Sequence, residues 1–128
     1  MTEVKPVILI HGGAGNYRRF SDEALERRRE HLSISALRGF KLLESKGALD
    51  AVEAAVNHME DCGEFNAGVG SVLTLTRSVE MDAGIMDGRS LDVGAVTLVR
   101  HFKNPVSLAR MVMEKTDHIF IAGEGVEK

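Results

Sequence analysis

The sequence predicts a layered α/β (α+β) fold, built as one domain or as one piece of a larger one. Three observations point there. A β-branched run opens the chain at residues 7–10. Two segments of helical periodicity follow, over about 21–45 and 49–61. Short strand-like runs then occupy 72–76, 79–86 and 93–99, before a third helix and a last short strand.

Taken in order, Val7-Ile8-Leu9-Ile10 reads as a buried strand, apolar on both faces, and it ends in His11-Gly12-Gly13-Ala14-Gly15. Ser21 is an N-cap, with Asp22 and Glu23 in the first turn. Leu25, Leu32, Ala36, Leu37, Phe40 and Leu43 give that helix its apolar side, and Gly47 its stop. Its Glu26-Arg27-Arg28-Arg29-Glu30 cluster reads as a solvated face. In the second helix Val52, Ala55, Val56 and Met59 form the stripe. Arg77-Ser78 and Asp87-Gly88 are turn signals that join the middle strands into an antiparallel meander. Asn104-Pro105 starts the third helix, Asn as N-cap and Pro at N1, with Leu108, Met111 and Val112 inward. Residues 118–122 form the last strand, with no following partner in the sequence.

The bulk numbers exclude several function classes. A net charge of −3 argues against a nucleic-acid binder held by phosphate contacts. No Trp and one Tyr leave no platform for stacking bases. No apolar run approaches the roughly 20 residues that span a bilayer, and no secretory leader is visible, so no membrane partner is expected. Cys62 is alone, which rules out an intrachain disulfide and suits a reducing compartment. The expected location is cytoplasmic.

Residues 60–71, Glu-Asp-Cys-Gly-Glu-Phe-Asn-Ala-Gly-Val-Gly-Ser, need a particular explanation. Gly63, Gly68 and Gly70 demand sharp turns or close approaches, and Phe65 and Asn66 stand among them. The helix before them leaves its last carbonyls unpaired at the negative end of its dipole. A chain coiling back there could cage a hard cation with carbonyl oxygens, although spacing alone favours a C-capped helix and an ordinary loop.

Other candidates are weaker. The turn at residues 11–15 could cradle phosphate at a helix N-terminus, but it lacks the G-x-G-x-x-G and G-x-x-x-x-G-K-[ST] patterns. A tight turn with a buried histidine is the plainer reading. The five histidines show no pair with the spacing of zinc ligands, and Cys62 has no cysteine partner. Cys62 reads as a small semi-buried thiol. Asp82, Asp87 and Asp92 share no face, so turn and strand-end roles fit them better than catalysis.

The ordered set of short motifs is more specific than any one of them. His11-Gly12-Gly13-Ala14-Gly15, Ala48-Leu49-Asp50-Ala51-Val52-Glu53-Ala54-Ala55-Val56, Glu64-Phe65-Asn66-Ala67-Gly68-Val69-Gly70-Ser71, Val79-Glu80-Met81-Asp82-Ala83, Met86-Asp87-Gly88, Gly94-Ala95-Val96 and Asn104-Pro105 follow one another along the chain. Together they resemble the N-terminal, α-subunit portion of the plant-type (type III) asparaginase/isoaspartyl peptidase family of N-terminal-nucleophile hydrolases. The resemblance covers nearly all of residues 1–128.

It implies part of a four-layer αββα sandwich, made from a precursor that cleaves itself. The nucleophile is then a new N-terminal threonine on a β-subunit, which hydrolyses asparagine or β-aspartyl (isoaspartyl) dipeptides in (αβ)2 assemblies. It implies a structural sodium ion on backbone carbonyls of Met59, Glu60, Cys62, Phe65, Ala67 and Val69. Asn66 would support the nucleophile, and His11, Gly12 and Gly13 would lie beside the scissile bond. No organic cofactor is implied.

The threonines here are Thr2, Thr74, Thr76, Thr97 and Thr116, and none follows a glycine as the family nucleophile does. Asp92 stands where a threonine would be in the echo Asp92-Val93-Gly94-Ala95-Val96. The β-subunit is missing from the sequence, so the chain by itself is expected to be inactive. Two alternatives are a stand-alone non-catalytic binding or regulatory protein and a small-anion module using Gly12 to Gly15.

Overall fold

The structure is a computed structural model and describes residues 5–126 and 128. Helix α1 spans Asp22–Leu43 and helix α2 Ala48–Cys62. Strands β1 (Met81–Met86) and β2 (Val93–Val99) precede helix α3 (Pro105–Lys115) and strand β3 (Phe120–Ala122). These are the helices and strands of the mixed α/β architecture expected for part of the αββα sandwich.

Ser21 caps α1 as its sequence position demands, its Oγ accepting the Ala24 N–H at 3.2 Å. At the other end the Leu42 carbonyl collects the N–H groups of Ser45, Lys46 and Gly47, and Gly47 turns the chain at φ +111°. α2 then runs back along α1. Ser35 Oγ donates to the Ala55 carbonyl at 2.7 Å. A Cβ on Gly39 would fall 2.7 Å from the Ala51 carbonyl oxygen. The seam is therefore made of small residues that let two backbones meet, and its buried members are Ser35, Gly39, Ala51 and Ala55.

That seam revises the expected apolar faces. Leu37 and Phe40 on α1 and Val52 on α2 are exposed. Their periodicity was that of a helix, but the line of closest contact runs through Ser, Gly and Ala, which a search for large apolar residues overlooks. Met111 on α3, expected inward, is likewise exposed.

The sheet order is β1-β2-β3, with β1 antiparallel to β2 and β2 parallel to β3. α3 is the crossover between β2 and β3 and packs on the sheet. Met81, Ile85, Val96, Val99, Ala109 and Val112 form the core there. Contact is closest at Gly94, where a Cβ would lie 2.1 Å from the Ala109 carbonyl oxygen. The β1–β2 register slips between Met81 and Ala83. Opposite the slip Leu98 sits at φ +57°, and the Asp82 carboxylate accepts the Leu98 N–H at 3.2 Å and the Thr97 hydroxyl. Asp87 Oδ1 accepts the Arg89 N–H at 2.8 Å in the hairpin loop. Asp82 and Asp87 thus hold backbone, as their sequence positions suggested.

The expected meander is shorter than its sequence signal. Residues 72–76 form no strand; a turn closes there instead, with Arg77 at φ +61° and its N–H donated to the Thr74 carbonyl. The strand expected over 79–86 begins only at Met81. The last strand does have a partner, β2, lying upstream of it. Residues 7–10 also join no sheet among the described residues. They keep a two-residue alternation: Val7 and Leu9 are exposed while Ile8 and Ile10 are half-covered. Only one face of this run has been given a neighbour.

No described helix is long and apolar enough to cross a membrane.

Candidate active-site corner and its neighbours

The site grows from the C-terminal end of α2. Gly63 ends the helix in the left-handed region at φ +76°. The chain then folds back on the helix it has left. At Gly68, φ +53°, a Cβ would fall 2.2 Å from the Glu60 carbonyl oxygen. At Gly70 one would fall 2.2 Å from the Phe65 carbonyl oxygen and 2.8 Å from that of Gly63. No side chain fits at either position. The glycines bring the backbone directly over carbonyls at the helix end. Phe65 also accepts the Ala67 N–H at 2.8 Å, and Ala67 accepts the Gly70 N–H at 3.0 Å. These bonds hold the coil closed.

Phe65 is buried, and its packing partners are now visible. A Cβ on Gly12 would lie 3.0 Å from the Phe65 ring and 3.1 Å from Leu32. Gly12 therefore lets the N-terminal segment pass directly over the ring. His11 Nδ1 accepts the Gly13 N–H at 3.1 Å, and the Tyr17 hydroxyl donates to the Gly13 carbonyl. His11 is exposed, so the buried-histidine reading of this turn does not hold. The turn does not lead straight into a long helix either: α1 starts at Asp22, where Asp22 and Glu23 would repel an anion.

Asn66 is exposed beside Phe65, and its Oδ1 accepts the Val72 N–H at 2.9 Å. His11, Gly12, Gly13, Phe65 and Asn66 line one open groove of about 850 Å³. Residues far apart in sequence thus converge on one wall. Behind it, Met59, Glu60 and Cys62 lie in the last turn of α2, and Ala67 and Val69 in the segment that folds back over it.

Arg28 also reaches this groove, its guanidinium carbon 3.9 Å above the Phe20 ring. Arg27 pairs with Glu64 at 3.2 Å and Arg28 with the same carboxylate at 3.6 Å. The basic cluster is therefore not simply a solvated face: two of its arginines tie α1 to the glycine corner.

Glu60 is the least expected member. It is 2% exposed, and its carboxylate accepts the Val106 N–H and the Asn104 side-chain amide, each at 3.1 Å. Burial pushes its carboxyl up, and the two hydrogen bonds oppose that shift. Asn104 makes no side-chain cap on α3; it donates to Glu60 and Asp61 instead, and Glu60 does the capping from another helix. Asp61 is held below the usual carboxylate range by Asn104 and Lys103. Farther along, Arg110 joins α3 to α2 through Asp50 and Glu53, each at 2.7 Å.

A second grouping lies behind the corner. His31 Nδ1 and His58 Nε2 stand 3.2 Å apart, and the rings stack at 29°. Burial, then Arg38 and His31, lower the His58 pKa, while Asp61 opposes them. The Cys62 thiol donates to the Met59 carbonyl at 3.5 Å. The ligand atoms of His31, His58 and Cys62 all lie within 4.8 Å of one another. The histidine reading from sequence missed this set because His31 comes from the other helix. The available signal was His58 and Cys62, four residues apart on one helical face.

Comparison with known proteins identifies the family. A family model described as Asparaginase matches residues 4–128. The plant-type L-asparaginase of Pyrococcus furiosus is 51% identical over 121 residues, covering 94% of this chain and 39% of the relative. The isoaspartyl peptidase/L-asparaginase of Mus musculus is 49% identical over 127 residues, covering 98% of this chain and 38% of the relative. That of Xenopus laevis is 49% identical over 123 residues, with 95% and 39% covered. The chain thus spans somewhat less than two-fifths of the length of these relatives.

Proposed function

This chain belongs to the plant-type asparaginase/isoaspartyl peptidase family of N-terminal-nucleophile hydrolases, and on that premise we propose that it supplies the α-subunit wall of such a hydrolase's active site. The observation that carries this reading is the meeting of His11, Gly12 and Gly13 with Phe65 and Asn66 in one groove. The reaction is hydrolysis of L-asparagine or of β-aspartyl dipeptides. Its nucleophile is a threonine freed by autoproteolysis, with the α-amino group of that threonine as base. That residue lies on the remaining portion, since no threonine of this chain follows a glycine.

Asn66 accepts through Oδ1 from Val72, so its amide NH2 is the end available to hold the nucleophile. The His11 turn lies across the same groove and borders the scissile bond. Sodium would take the carbonyls of Met59, Glu60, Cys62, Phe65, Ala67 and Val69. What supports such an ion is the tight fold of the corner, where Gly68 and Gly70 leave no room for a side chain against the Glu60 and Phe65 carbonyls. Its contribution would be to hold the coil, and with it Asn66, in place.

The partner would be the β-subunit portion, joined in an (αβ)2 assembly. The exposed Val7, Leu9, Leu73 and Leu75 support a further apolar layer. The test is to assay the 128-residue chain alone and together with the C-terminal portion of the Pyrococcus furiosus relative. The expected result is hydrolysis of asparagine and β-aspartyl dipeptides only by the pair. Ammonia release from asparagine by the 128-residue chain alone would overturn the assignment of the nucleophile.

A further inference from the structure

We propose that His31, His58 and Cys62 form a side-chain site for a divalent zinc-type metal ion, spanning α1 and α2 behind the glycine corner. It uses imidazole and thiolate donors and is separate from the carbonyl cage proposed for sodium.

Three observations carry it. First, the donor set is of the right type: two imidazoles and one thiolate suit zinc and its neighbours, not sodium, calcium or magnesium. Second, the spacing is close to that of a coordinated ion. Two nitrogens each about 2.05 Å from a tetrahedral centre would be about 3.4 Å apart. His31 Nδ1 and His58 Nε2 are 3.2 Å apart. A hydrogen bond between two imidazoles would account for that pair alone. It would not account for the Cys62 sulfur lying within 4.8 Å of a ring nitrogen of each histidine. Third, the donors sit on rigid elements. His58 and Cys62 are four residues apart on α2, so both project from one side of it. His31 faces them from α1, across the seam fixed by Ser35 and Gly39. His58 is buried, while His31 and Cys62 are half-buried, which leaves an approach for the ion.

Binding requires little rearrangement. In a tetrahedral site the sulfur would stand about 3.6 Å from each nitrogen, so it has to close from a starting point within 4.8 Å. The thiol proton leaves to solvent, the thiolate takes the metal, and the Met59 carbonyl loses the thiol as a donor. Three protein ligands leave a fourth position for water. The ion would pin α1 to the C-terminal turn of α2, where the glycine corner begins.

The experiment is cobalt(II) and zinc(II) titration of the reduced, metal-free chain, with zinc affinity measured against a chromophoric chelator. The expected result is one ion per chain. Cobalt should give an intense near-ultraviolet sulfur-to-metal charge-transfer band and the visible bands of a tetrahedral centre. Cys62→Ser should remove the charge-transfer band and weaken zinc by at least about tenfold. His31→Asn should weaken zinc similarly, with the far-ultraviolet circular dichroism of both variants unchanged. Cys62→Ser changes one atom at a half-buried position, so it decides the question even if the histidine variant folds poorly. Substoichiometric zinc, cobalt spectra without the sulfur band, or unchanged zinc affinity in Cys62→Ser would each overturn the site. Replacing sodium by choline in the buffer should leave zinc affinity unaltered, whereas competition between the two ions would overturn the separation of the sites.

Discussion

Glu60, near the end of α2, caps α3: its Oε1 accepts the Val106 N–H at 3.1 Å from a site almost closed to water. Pro105 at the first helical position has no N–H to satisfy, so Val106 provides the first donor of that helix. The same carboxylate takes the Asn104 amide. One residue therefore sets the position of α3 through its side chain, while its own carbonyl, in the last turn of α2, lies beneath Gly68.

Glu60→Ala should destabilise the chain by about 1–3 kcal/mol, because it leaves buried donors unpaired. Glu60→Gln keeps one acceptor oxygen and should cost less. Urea unfolding midpoints for the two variants check the order. Equal midpoints for wild type and Glu60→Ala would show that water replaces the carboxylate at no cost.

Gly39→Ala should destabilise by about 1–3 kcal/mol, despite a helix-propensity gain of about 1 kcal/mol. The added methyl would meet the Ala51 carbonyl at 2.7 Å and Ile8 at 2.5 Å. Gly15→Ala has open space around it and serves as the control, with a change within about 0.5 kcal/mol. Thermal unfolding of both variants reads the contrast.

Glu23 sits in the first turn of α1, and its pKa is lowered, first by a hydrogen bond from Ser21. A carboxyl whose folded value lies below its unfolded value adds stability above the unfolded value, here 4.5. That contribution is lost as pH falls through the folded value. Wild type should therefore exceed Glu23→Gln in stability at neutral pH, and the difference should shrink on acidification below 4.5. Parallel urea melts at neutral pH and in acid test the sign; a gap that widens in acid would contradict it.

If sodium occupies the coil, the 128-residue chain joined to its C-terminal portion should melt higher in sodium chloride than in choline chloride at equal ionic strength. Gly68→Ala should erase that difference, since its methyl would fall on the Glu60 carbonyl. A sodium effect that survives Gly68→Ala would place the ion elsewhere.

Capping residues, turn glycines and the α3 start were legible because each acts through its own backbone. Ser21, Gly63 and Pro105 stand at the boundaries their chemistry predicts, whereas Gly47, expected to stop α1, instead precedes α2 as its N-cap, α1 having ended at Leu43. The glycine corner was legible as a shape, and the ordered motifs gave the family. Longer-range choices were not. Nothing local makes Glu60 rather than Asn104 the cap of α3, since the decision depends on two helices meeting. The α1–α2 seam escaped for a related reason: Ser35 and Gly39 carry little apolar signal, yet they define the contact. Residues 7–10 and 72–76 have strand composition, but pairing needs a neighbour at hydrogen-bonding distance, and composition does not specify one.

The half-clad run at residues 7–10 bears on biosynthesis. A ribosome delivers this portion first in any longer chain that carries it at the front. During that interval Val7, Leu9 and Leu75 offer grips to chaperones and to other copies of the same nascent polypeptide. The yield of usable protein then depends on a race between completion and clumping, and slower translation or a warmer cell would tilt it toward the aggregate.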